Sequence, residues 1–146
     1  MAERTRLEFK QVIGKGGFGT VFRATLHRPG GFRKEVAVKV LHDRWVREPS
    51  VTARLRDEAR TLGLLRHRAL PSVDGLFRVE GRPALVVEFV DGVTLQVLRA
   101  LGPVPPTAAL ELGIEIANAL HAAYHTAGPD GEPLRLIHRD IKPGNI

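Results

Sequence analysis

The spacing of hydrophobic residues changes partway along the chain. Leu7-Glu8-Phe9-Lys10-Gln11-Val12-Ile13 loosely alternates, and a glycine cluster then interrupts it. Thr20-Val21-Phe22-Arg23-Ala24-Thr25-Leu26 resumes with β-branched and aromatic residues. A period of two with these residue types predicts half-buried strands. Pro29-Gly30-Gly31 predicts a turn, and Glu35-Val36-Ala37-Val38-Lys39-Val40 alternates cleanly as a third strand. Three strands with short breaks predict an antiparallel meander.

The period then lengthens. After Pro49, with Ser50 as the expected N-cap, Val51, Leu55, Leu62 and Leu65 recur at helical spacing. Two more strands are predicted near Val73–Val79 and Ala84–Val90, around Gly81-Arg82-Pro83, and a short helix from Thr94. Gly102-Pro103-Val104-Pro105-Pro106 is a stiff break and reads as a boundary between subdomains. Thr107 is expected to cap a second long helix, with Leu110, Ile114, Ala117, Leu120 and Tyr124 on one face. Gly128–Pro133 ends that helix, and the closing stretch reads as loop. Strands first and helices after predict an α+β fold in two parts.

Composition narrows the picture. A length of 146 residues with 43% apolar content suits one modest domain or part of a larger one. Zero cysteines exclude disulfides and thiolate metal sites. No run of eighteen apolar residues is present, so no membrane segment is expected in this chain. The start, MAERTRLEFK, lacks the apolar core of a leader, so a cytoplasmic location is expected. Charge is uneven: residues 1–70 carry 16 Lys/Arg against 7 Asp/Glu, and residues 71–146 carry 6 against 9. Charge alone carries little information, so this half reads as a solvated surface and no nucleic acid is expected.

Four short stretches bear chemistry. Gly14-Lys15-Gly16-Gly17-Phe18-Gly19-Thr20-Val21 fits G-x-G-x-x-G-x-V. In a dinucleotide fold such glycines open a helix; here they lie between two strand patterns. They therefore form either a hairpin that lets backbone amides approach phosphate oxygens or a bare turn. No Gly-Lys-Ser/Thr follows, which excludes a P-loop. On the third strand, Ala37 and Lys39 share the face opposite Val36, Val38 and Val40. That arrangement suits a flat ring beside a phosphate, or simply a lysine facing solvent. Glu58 falls within the helix's apolar stripe, where a carboxylate needs a cation, and Lys39 is the natural one. At the stripe's edge it would reach water instead. Finally, His138-Arg139-Asp140-Ile141-Lys142-Pro143-Gly144-Asn145 gathers an acid, a base and an amide. These could accept a hydroxyl proton, neutralise a phosphoryl group and ligate Mg²⁺, respectively.

Together, GKGGFGTV, VAVK, Glu58 nineteen residues past Lys39, VVEFVDGVTL and HRDIKPGN resemble the eukaryotic-type Ser/Thr protein kinases of bacteria. The resemblance covers nearly the whole chain but only the front part of such a domain. It implies an α+β kinase-like N-lobe, residues 1–90, with a five-stranded antiparallel sheet and one long helix. Residues 91–146 would begin the C-lobe. It implies ATP and Mg²⁺ as cofactors and a protein substrate with a Ser/Thr acceptor. Gly14, Lys15, Gly16, Gly17, Phe18 and Gly19 would cover the phosphates, and Lys39, held by Glu58, would contact them. Ile13, Val21 and Ala37 would line the adenine pocket, Val87 would be the gatekeeper, and backbone groups of Glu88 and Val90 would bond the adenine. Asp140 would be the catalytic base, Lys142 its neighbour at the γ-phosphate, and Asn145 a Mg²⁺ ligand. Arg139 before Asp140 matches kinases switched on by activation-loop phosphorylation.

No Asp-Phe-Gly, activation loop or Ala-Pro-Glu occurs within the 146 residues. The expectation is a fragment with little activity alone, whose Leu110–Tyr124 face is left uncovered and able to associate. Gly128–Leu134 should be a surface turn. A non-catalytic nucleotide-binding or interaction module, and nucleic-acid binding through the basic half, are the alternative readings.

Overall fold

A computed structural model of the chain describes residues 5–146. Residues 1–4, within the stretch read above for a leader, lie outside the described residues. The chain divides into two compact units, Met1–Gly63 with Pro71–Phe89 and Leu64–Leu70 with Val90–Ile146.

The first unit is built on five antiparallel strands: β1 (Arg6–Lys15), β2 (Gly19–Arg28), β3 (Phe32–Leu41), β4 (Val73–Val79) and β5 (Arg82–Glu88). Their order is β1-β2-β3-β5-β4. The alternation read in β3 sets the two faces. Val36, Val38 and Val40 pair with Ala24, Phe22 and Thr20 on β2 and with Glu88, Val86 and Ala84 on β5. On this face Ala24, Leu26, Val36, Val38, Val40, Ala84 and Val86 form a buried cluster, flanked by Leu7, Phe22, Phe77 and Val79. The opposite face carries Leu41 and Leu85, which pack with Leu55 of the helix α2 (Pro49–Leu64). Val51, Ala59 and Leu62 complete that contact, so the helical stripe read from the sequence does face the sheet.

Several predicted boundaries move for local reasons. Ser50 does not cap α2: the helix opens at Pro49, whose fixed φ suits a first turn. The Glu48 carbonyl accepts from the Val51 and Thr52 N–H groups, so Ser50 already lies inside the helix. Leu65 is buried but follows the helix rather than ending its stripe. A short helix α1 (Asp43–Val46), which the sequence pattern did not suggest, precedes α2. β5 begins and ends two residues earlier than expected. The turn before it is Glu80-Gly81, with φ of 50° and 80°, because a two-residue hairpin matching strand twist requires positive φ at both positions. Pro83 pairs with Arg78 but precedes the β3 pairing, which starts at Ala84, so its missing N–H costs no bond there.

In the second unit α3 (Leu95–Leu101) starts as expected, with the Thr94 hydroxyl accepting from the Val97 N–H. Gly102–Pro105 turns the chain into α4 (Pro106–His125) and therefore lies inside this unit. Pro106 occupies the first turn and Pro105 the cap position, so Thr107 is helical rather than capping. Buried residues of α4 are Ala119 and Ala123. Leu110 and Ile114 stand 68% and 58% exposed. Residues 128–134 form a tight turn: Gly128 N–H donates to the Glu132 carbonyl, and Leu134 N–H to that of Thr126.

Burial in the first unit yields a test. Leu41 is 2% exposed and Phe32 73%. Leu41→Ala should lower urea-unfolding stability by about 2–4 kcal/mol, whereas Phe32→Ala should change it by less than about 0.5 kcal/mol.

Candidate functional site

Lys39 and Glu58 meet as the sequence suggested. Lys39 Nζ donates to both Glu58 carboxylate oxygens at 3.1 Å. The side chains are 37% and 41% exposed, so the expected burial of Glu58 is not found. α2 turns Glu58 toward the rim of its packed face, where water reaches the pair. A half-exposed pair contributes little to stability, so folding alone does not call for these two residues. They line a cavity of about 200 Å³ with Phe18, Leu41, Val51, Arg54 and Leu55. Val21 pairs with Lys39, and Ala37 with Val87, so all four share one sheet face.

The glycine-rich turn joins β1 to β2, closed by a bond from Gly16 N–H to the Gly19 carbonyl. Its glycines answer to different constraints. A Cβ on Gly19 would lie 2.4 Å from the Val40 carbonyl oxygen, so β3 itself requires glycine there. On Gly14 the nearest atom would be 3.7 Å away and on Gly16 3.8 Å, and Gly17 would meet nothing within 4 Å. None of these three has positive φ. The fold therefore does not require them to be glycine. Lys15 ends β1 and Phe18 is exposed at the tip. Ile13, in the last turn-ward stretch of β1, is exposed as well.

At the end of β5, Glu88 is fixed by Ser72. Its N–H donates to the Ser72 carbonyl, and its carboxylate accepts from the Ser72 N–H and hydroxyl. The backbone bond from Ser72, then its hydroxyl, hold the Glu88 carboxyl below the usual range. Val90 lies beyond the strand, and its carbonyl accepts from the Gly92 N–H. Farther along the Ala37 face, Glu35 accepts from Lys10, Thr25 and Arg23, which lower its pKa to about 2. Arg23 in turn lies 4.5 Å from the centroid of the Phe89 ring.

In the second unit Asp140, Lys142 and Asn145 come together. Lys142 Nζ donates to the Asp140 carboxylate at 2.9 Å, and Asn145 Nδ2 donates to the same carboxylate and to the Asp140 carbonyl at 2.9 Å. These contacts, Lys142 first, hold Asp140 below the ordinary carboxylate range. The Asp140 N–H donates to His138 Nδ1. Arg139 has φ 64°, a left-handed conformation that costs a non-glycine residue energy and is concentrated at functional sites. The loop's end is tied to α3 by a bond from the Leu95 N–H to the Ile146 carbonyl. With its amide hydrogens directed at Asp140, Asn145 presents a carbonyl oxygen of the hard type that Mg²⁺ takes. Among the described residues no three His, Asp or Glu converge, and Asn145 offers a single oxygen donor of the kind that Mg²⁺ takes.

Sequence reasoning passed over four residues around these sites: Arg44, Trp45, Ser72 and Arg23. Each acts through a contact distant in sequence. The one legible sign was Trp45, a lone tryptophan in a short polar segment.

The antiparallel sheet with its glycine-rich first turn and Lys–Glu pair, and the loop carrying Asp140, Lys142 and Asn145, are the features that the sequence motifs led one to expect of a protein kinase domain. Comparison with known proteins makes the assignment specific. The family model for the protein kinase domain matches residues 7–146. Serine/threonine-protein kinase PknA of Mycobacterium tuberculosis is 38% identical over 147 residues, covering 97% of this chain and 32% of PknA. PknB of Mycobacterium leprae is 34% identical over 146 residues, covering 97% of this chain and 22% of PknB. The crystal structure of the M. tuberculosis PknI kinase domain aligns with a TM-score of 0.70 at 23% identity, covering 94% of this chain and 52% of that one. The chain thus spans about a third or less of these curated relatives. It belongs to the protein kinase domain family.

Two outcomes follow from the local geometry. Gly19→Ala should destabilise the first unit, seen as a lower urea midpoint, while Gly17→Ala should leave that midpoint unchanged. For Glu35, a folded pKa of about 2 lies below the ordinary 4.5. Its contribution to stability is therefore complete above the ordinary value and fades as pH falls toward the folded one. Glu35→Gln should flatten that acid limb of a stability–pH curve; an unchanged limb would deny the network any role.

Proposed function

We propose that this chain supplies the nucleotide-binding and catalytic-loop portions of a serine/threonine protein kinase that uses Mg-ATP. The observation that carries this reading is the glycine turn. Gly16 and Gly17 have no structural need to lack side chains, whereas close approach of a phosphate to their backbone does require it. Lys39, on the neighbouring strand face and steadied by Glu58, supplies a positive charge for the α- and β-phosphates. The flat patch of Val21, Ala37 and Val87, with Ile13, suits the adenine ring. The Glu88 carbonyl and the Val90 N–H, an acceptor and a donor two residues apart, would meet the adenine edge.

For transfer, Asp140 is kept ionised by Lys142 and Asn145, so it can take the proton of a Ser or Thr hydroxyl as that oxygen bonds to phosphorus. The bond to the β-phosphate oxygen breaks, and Lys142 offsets charge on the transferred group. Asn145 would be one ligand of Mg²⁺, whose charge would offset that on the phosphate oxygens. Lys142 two residues after Asp140 goes with Ser/Thr rather than Tyr as acceptor. A cytoplasmic setting, where ATP is supplied, accords with this reading. Among the described residues no helix is long and apolar enough to cross a membrane.

In a version extended past Ile146 to a whole kinase domain, Lys39→Met and Asp140→Asn should each abolish phosphate transfer from labelled ATP to protein Ser/Thr while leaving the circular-dichroism melt intact. Transfer at the wild-type rate by either variant contradicts the assignment. The 146 residues alone, which contain no Asp-Phe-Gly triplet, should bind Mg-ATP with negligible transfer to a basic protein substrate.

A further inference from the structure

The tip of the glycine-rich turn is held from outside by α1. The Gly17 carbonyl accepts two hydrogen bonds, from Arg44 Nη2 and from Trp45 Nε1, both at 2.8 Å. The Phe18 ring lies against the Trp45 indole, with centroids 5.4 Å apart. The next carbonyl, that of Phe18, accepts from the His42 N–H at 3.0 Å, and the Thr20 hydroxyl meets His42 Nε2 at 3.1 Å. Two successive carbonyls of a turn whose amides the proposed function directs at phosphate are thus fastened to the segment between β3 and α2.

The peptide bond makes this functional. No cis peptide occurs among the described residues, and in a trans unit the carbonyl and the following N–H point in opposite directions. Fixing the Gly17 carbonyl on Arg44 and Trp45 turns the Phe18 N–H away from α1. Fixing the Phe18 carbonyl on His42 does the same for the Gly19 N–H. Left alone, a turn with three glycines in four residues, Gly16 to Gly19, would lose considerable freedom on presenting both amides to one anion. The clamp removes part of that freedom beforehand.

We propose that Trp45 and Arg44 are positioning residues for the nucleotide's phosphates: they lock the Gly17–Phe18 peptide so that the loop amides are aimed before ATP arrives. This inference rests on the nucleotide-binding reading above. It assigns a phosphate-specific role to a short helix that carries no recognised motif. Because Trp45 is the only tryptophan of the 146 residues, its emission also reports the state of the turn.

The test compares ATP with adenosine, each titrated into the 146-residue chain by calorimetry, for wild type, Trp45→Phe and Arg44→Met. Phe keeps a ring against Phe18 but lacks the N–H donor. Each variant should weaken ATP about five-fold, the equivalent of one hydrogen bond, and leave adenosine affinity unchanged. In wild type, ATP but not adenosine should shift the Trp45 emission. An unchanged ATP-to-adenosine affinity ratio in both variants overturns the clamp while leaving the kinase reading intact. Equal weakening of both ligands also overturns it, since that marks a general loss of structure. If wild type binds neither ligand, the nucleotide-binding reading fails first and the clamp falls with it.

Discussion

The two-residue alternation of β3 is the constraint on which the first unit depends. Ala24, Val36, Val38 and Val86 are fully buried on one side of the sheet. This leaves Ala37, Lys39 and Leu41 no choice of side. A slip of one residue would carry Lys39 into the apolar cluster and expose three valines, so the register is strongly enforced. Within the first unit that register places Lys39 opposite Val21, Ala37 opposite Val87, and Leu41 opposite Gly19. Even Gly19 is fixed by it, since β3 comes too close there for any side chain.

Two exposed charged pairs, one in each unit, position groups more than they stabilise the fold. Lys39–Glu58 and Lys142–Asp140 are well exposed, and neither replaces apolar packing. Their worth lies in holding a cation or a carboxylate at one place. The same holds at Glu88, which Ser72 grips by both backbone and side chain. The second unit follows the same economy: its loop from His138 to Asn145 is organised almost wholly by hydrogen bonds converging on Asp140.

The sequence revealed what depends on periodicity and on short motifs. β1, β2 and β3, the face of α2, a short helix beginning near Thr94 and the grouping of Asp140, Lys142 and Asn145 were legible because each is written in neighbouring residues. Helix starts at Pro49 and Pro106 were misplaced because a proline in the first turn and a hydroxyl residue beside it both signal a helix start. The start of β5 was missed because Glu80 adopts positive φ, which its residue type does not announce. Burial of Glu58 was overrated, since a helical stripe defines a face but not its rim. The grip of Arg44 and Trp45 on Gly17 could not be read, because it spans 27 and 28 residues and ends on a backbone oxygen.

The central claim is that the backbone of the glycine-rich turn receives the phosphates of ATP. Amide hydrogen exchange of the 146-residue chain, with and without Mg-ATP and against an adenosine control, tests it most directly. The account predicts added protection at Gly16–Thr20 with ATP and none at those amides with adenosine. Protection absent from this turn, or equal with both ligands, would contradict it.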